Sequence, residues 1–119
     1  MTFARDRIAL ATAVLEGHVP VPEAQRIVAA AQLARMGLEE AVAAILRTHG
    51  IDLGRARMSS RLTVLRVLAG ARTGAVARSA WSGLSRACHR HAFELPPSEP
   101  EIRSLVALVR TLIDIPDEE

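Results

Sequence analysis

The amino-acid sequence predicts an all-α protein, an antiparallel bundle of four to five helices round one core. Apolar residues recur at spacings of three and four along the chain, and no run alternates apolar with polar as a half-buried strand does. Glycines and prolines cut these periodic stretches into pieces of ordinary helix length. With 119 residues, half of them apolar, the chain is expected to form a single domain over 1–119 with enough interior for one core.

Ala4, Ile8, Ala11 and Leu15 mark a first helix, closed by Gly17 and the loop "HVPVP". A second begins near Pro22, whose fixed φ suits a first turn. It carries Ala24, Ile27, Ala31, Ala34, Leu38, Ala41 and Ile45 as a sustained seam whose alanines admit a close neighbour. Gly37 in its middle costs about 1 kcal/mol relative to Ala and is expected to kink or split it, and Gly50 is a plausible stop. Ser59 or Ser60 is expected to cap a short third helix bearing Leu62, Leu65 and Leu68, which ends at Gly70. Thr73 is expected to cap a fourth running to about His91, before "ELPP" ends it. Ser98 and Glu101 form a capping box for the last helix, with Ile102, Leu105, Val106, Val109, Leu112 and Ile113 on one face. Residues from about 114 to 119 read as a frayed acidic tail.

The longest apolar stretch near the start, "IALATAVL", is too short to span a bilayer and follows Arg5, Asp6 and Arg7. A soluble chain without a signal peptide and with no membrane partner is expected. The single cysteine, Cys88, forms no internal disulfide and fits a cytoplasmic location. Only Phe3, Trp81 and Phe93 are aromatic, too few for the base-stacking platforms of single-strand binders.

The net charge of +2 conceals a strong asymmetry. Residues 53 to 92 hold eight arginines (Arg55, Arg57, Arg61, Arg66, Arg72, Arg78, Arg86, Arg90) and no acid, whereas residues 93 to 119 carry two arginines against seven acids. Such a cationic block is the footprint of a nucleic-acid or phosphate partner. A solvated basic face balanced by the acidic tail "DIPDEE" accounts for the same pattern. The exclusive use of Arg suits bidentate phosphate contacts, but follows equally from a GC-rich coding sequence.

Within the block, "SRACHRHAF" (residues 85 to 93) concentrates two arginines, two histidines and the cysteine. Val76, Ala80, Leu84, Ala87 and His91 share one stripe of the predicted helix, while Arg86, His89 and Arg90 lie elsewhere. Arg86 and His91 point about 140° apart in an ideal helix. To share one phosphate, the arginine must wrap round, the helix end must unwind, or two copies must meet across a two-fold axis.

The "RACHRH" segment, an Arg, four residues and a His near the end of a penultimate helix, is followed by "AFELPPS" and a closing apolar helix. It resembles the R-x4-6-H motif of the HEPN (higher eukaryote and prokaryote nucleotide-binding) domain family, a family of all-helical bundles. The resemblance implies a HEPN-like fold, dimerisation through the motif helices, and metal-independent endoribonuclease activity without a cofactor. Family members often act as toxins of toxin-antitoxin or other defence systems, so a homodimer, RNA and an antitoxin or other protein are the implied partners. By position, Arg86 and His91 correspond to the motif arginine and histidine. Ala87 stands where many members have a polar residue, and Phe93 where many have Tyr, so regulation by nucleotide transfer to that Tyr does not carry over.

The chemistry implied is modest. RNA supplies its own nucleophile, the 2′-hydroxyl; histidine, with an ordinary pKa of about 6.5, moves protons near neutrality. Arginine holds the charge on the phosphorane. His89, Arg90, Arg61, Arg66, Arg72 and Arg78 are auxiliary candidates for contacts to the strand.

Blander readings exist for the same residues. His91 suits a hydrogen-bonded core or interface position, and Arg86 and Arg90 suit the dipole of a helix C-terminus. Trp81 and Cys88 read as core. No metal site is expected, because neighbouring positions in "CHRH" diverge on a helix and lack partner motifs. Ser82 and Ser85 form no nucleophile elbow, and no Gly-rich phosphate loop is present. Two other functions fit the pattern: a catalytically inactive HEPN-like dimerisation or adaptor module, and a helix-turn-helix DNA-binding protein. The latter, with Gly83 at the turn, requires Arg78, Ser82 and His89 to be buried at about 1 to 3 kcal/mol each if unpaired.

Overall fold

A computed structural model describes residues 1–89 and 95–115. Among these residues the protein is an all-α bundle of five helices: α1 (Thr2–Leu15), α2 (Arg26–Thr48), α3 (Met58–Ala69), α4 (Ala71–Cys88) and α5 (Glu99–Asp114), with a 3₁₀ turn (Glu23–Gln25) leading into α2. The centre of the bundle is α2, which packs against all four other helices. Its seam of Ala30, Ala31, Ala34, Leu38, Ala41 and Val42 is fully buried, and the short side chains let neighbouring backbones approach. Leu46, Leu62, Leu65, Leu84, Ile102 and Leu112 fill the space between. Burying each such side chain contributes roughly 1.5–3 kcal/mol.

Gly37 does not split α2, which runs unbroken for 23 residues. It serves instead as a crossing point: a Cβ there would lie 3.2 Å from Arg7 Cβ and 3.3 Å from Ile8 Cδ1 on α1. At the other end of this antiparallel pair, Arg26 donates to the Leu15 carbonyl at 2.6 Å, satisfying one of the orphan carbonyls that every helix end leaves. Arg26 also reaches Glu99 on α5 at 2.9 Å, so one side chain ties three helix ends together. Arg5 and Asp114 pair at 3.0 Å, joining the start of α1 to the end of α5. Asp114 is the last residue of α5 and Ile115 packs on the core, while residues 116–119 of the expected tail lie outside the described residues.

Several helix starts differ from the sequence reading. Arg57, not Ser59 or Ser60, takes the extended N-cap conformation of α3. Thr73 lies inside the first turn of α4 and is buried, since the helix already begins at Ala71. The reason is the connection itself: Gly70 alone separates α3 from α4, at φ +102°, a conformation open to glycine and strained for other residues. The capping side chain at Ser98 is present, accepting from the Glu101 N–H at 3.2 Å. All six apolar positions assigned to the last helix are buried.

Candidate nucleic-acid interface

The outward face of α4 carries Arg72, Arg78 and Arg86, all exposed. At 3.6 residues per turn they fall within about 120° of arc, with Arg78 and Arg86 about 12 Å apart along the axis. Ala75, Ser79 and Ser82, also exposed, keep the surface between them low. The helix can present this face because its other side is committed to packing: Ala77, Ala80, Gly83, Leu84 and Ala87 are buried.

The other candidates are distributed round this face. Arg66, in the last turn of α3, is exposed, and its stem packs on Gly74. Arg72 borders a cleft of about 400 Å³ with Arg110 and Asp114. Arg61 is half-buried and donates from Nη2 to the Gly54 carbonyl, so the structure commits it to the loop before α3. Arg86 borders a shallow cleft of about 330 Å³ shared with Ala87, Pro96, Ser98 and Glu101.

Arg90 and His91 lie outside the described residues, so the candidate catalytic pair is placed only at Arg86. The helix ends at Cys88, and His89 leaves helical geometry at φ −123°, ψ 32°.

The sequence reading missed Arg35, on α2. Its guanidinium carbon lies 4.7 Å from the centroid of the Trp81 ring, a cation–π distance. Its Nη1 is 2.7 Å from His89 Nε2, and its Nε is 3.8 Å from Glu39. Trp81 and Cys88 are accordingly only partly buried, lying at the edge of the core where α4 faces Arg35. Burial pushes the Cys88 thiol above its ordinary pKa, partly offset by the nearby Arg35. No local sequence signal marks Arg35, because its contact with His89 spans 54 positions. Among the described residues no group of three or more His, Cys, Asp or Glu side chains is placed to hold a metal ion, and no helix is long and apolar enough to cross a membrane.

The helix-turn-helix register with its turn at Gly83 is overturned. Gly83 is buried in the middle of α4 against Leu105, and Arg78, Ser82 and His89 are exposed.

No family model, curated protein or solved structure matches this chain.

Proposed function

We propose that this protein is a metal-independent endoribonuclease of the HEPN kind, working as a homodimer and serving as the toxin of a toxin-antitoxin or defence pair. The observation that carries this reading is the position of Arg86: exposed in the last turn of α4, on the same face as Arg78, within a segment of 40 residues that contains no acid. Arg66, Arg72 and Arg78 guide the strand, and Arg86 steadies the scissile phosphate. His91 takes the proton from the 2′-hydroxyl as that oxygen attacks phosphorus. The partner subunit's His91 protonates the departing 5′-oxygen, leaving a 2′,3′-cyclic phosphate. Positioned acid–base catalysis of this type contributes typically 10²- to 10⁴-fold.

The test is cleavage of a mixed tRNA and mRNA pool in EDTA by wild type, Arg86→Ala and His91→Ala. Cleavage by the wild type, lost in both folded variants, is the expected result; cleavage unchanged in either overturns the assignment. A second reading, an inactive dimerisation or adaptor module, is favoured by Ala87. The residue after Arg86 is buried at 5% exposure and offers no polar group to a site. Silence toward RNA from a folded dimer would establish that reading instead.

A further inference from the structure

Three features of the corner between α2 and α4 belong to no packing requirement. Arg35 lies over the Trp81 ring, its guanidinium carbon 4.7 Å from the centroid. Its Nη1 is 2.7 Å from Nε2 of His89, an exposed residue, while its Nε is 3.8 Å from Glu39. Arginine can only donate, so Nε2 of His89 is the acceptor in this contact. Two buried polar atoms here lack hydrogen-bond partners: Arg35 Nε and Ser85 Oγ, the latter one turn before His89. Buried polar groups left unpaired are uncommon and call for an occupant.

We propose that Arg35 and His89, seated on Trp81, form a phosphate-binding pair at the end of α4. A phosphate group entering between them accepts from the Arg35 guanidinium and from the His89 ring N–H, replacing the Arg35–His89 contact with two hydrogen bonds to a charged acceptor. Arg35 on α2 contacts His89, and Arg35 in turn pairs with Glu39 and lies beside the Cys88 thiol. The proposal rests on the reading of α4 as a phosphate-binding face, and adds a residue from α2 to it. The phosphate is either a backbone diester or a terminal monoester of an RNA strand.

Trp81 is the only tryptophan, so its fluorescence reports directly on Arg35. Titration of the full chain with inorganic phosphate, against chloride of matched ionic strength, is expected to change Trp81 emission saturably and to shift the His89 imidazole resonances with the same saturation. Arg35→Gln should weaken binding at least tenfold, Arg35→Lys should restore part of it, and His89→Gln should weaken it several-fold. No phosphate-specific response in the wild type, or full affinity in either Arg35→Gln or His89→Gln, overturns the proposal; His89→Gln decides the matter if Arg35→Gln does not fold. An RNA oligonucleotide with and without a 5′-phosphate separates the two sources: a clear preference for the phosphorylated strand assigns the monoester, and equal binding assigns the backbone. Phosphate binding without RNA cleavage would overturn the catalytic reading alone, whereas cleavage without a phosphate response would overturn this site alone.

Discussion

Gly74 of α4 sits so close to Arg66 of α3 that a Cβ built on it would lie 2.7 Å from Arg66 Cβ and 3.0 Å from Arg66 Cα. The neighbour is partly backbone, which cannot step aside as the tip of a side chain can. Gly74→Ala is therefore expected to destabilise the protein by about 2 kcal/mol through overpacking, despite a gain of about 1 kcal/mol in helix propensity. At Gly37 the new methyl would meet Arg7 Cβ and Ile8 at 3.2–3.3 Å, a crowding that small shifts relieve. Gly37→Ala should accordingly lie within about 1 kcal/mol of wild type. Urea unfolding of the two variants tests this order, and a Gly74→Ala protein as stable as Gly37→Ala would contradict it.

Ser98→Ala should cost about 1 kcal/mol, the usual loss for an N-cap side chain, since Ser98 accepts from Glu101 N–H at the start of α5. Chemical denaturation measures it, and Ser98→Asp, which keeps an acceptor beside the positive helix end, should recover most of the loss.

Arg61 and Arg78 should separate in their effects although both belong to the basic block. Arg61→Ala removes a donor to the Gly54 carbonyl and should lower stability by about 0.5–1.5 kcal/mol. Arg78 is exposed on α4, so Arg78→Ala should leave stability within about 0.5 kcal/mol. If the RNA reading is right, Arg78→Ala also reduces the slope of log affinity against log salt by about 0.7 on single-stranded RNA. Binding measured at several salt concentrations checks this, and an unchanged slope would remove Arg78 from the interface.

Arg103 and Arg26 hold the Glu99 carboxyl below its ordinary pKa of 4.5 by hydrogen bonding, opposed by slight desolvation. The folded protein thus binds this proton less readily than the unfolded chain. The stability it contributes is fully present above the ordinary value and is lost as pH falls through the lower, folded value. Glu99→Gln should flatten the decline in stability below about pH 4.5, and acid titrations of thermal midpoint for the two proteins show whether it does.

How far the fold could be read from the sequence depended on whether a residue's partner lay nearby in the chain. The stripe of α5 from Ile102 to Ile113 was legible because six apolar residues at helical spacing need only one buried side. The starts of α3 and α4 were not, because Ser59, Ser60 and Thr73 are capable caps that a one-residue turn at Gly70 and the N-cap at Arg57 left unused. Gly37 was read as a weakness in α2, and its benefit became visible only once α1 was laid across it. At the candidate site, Arg86 and His89 were found by local concentration of cations, whereas Arg35 required the α2–α4 packing to bring it beside them.

The placement of α2 has a consequence for the order in which the chain assembles. Its neighbours include both the first helix and the last, and Arg5 meets Asp114 across 109 positions. α1 and α2 can pair through a short connection, but the side of α2 that receives α5 is covered only when a helix far along the sequence docks. Closing the bundle is thus a long-range event that follows the local pairing of its first two helices.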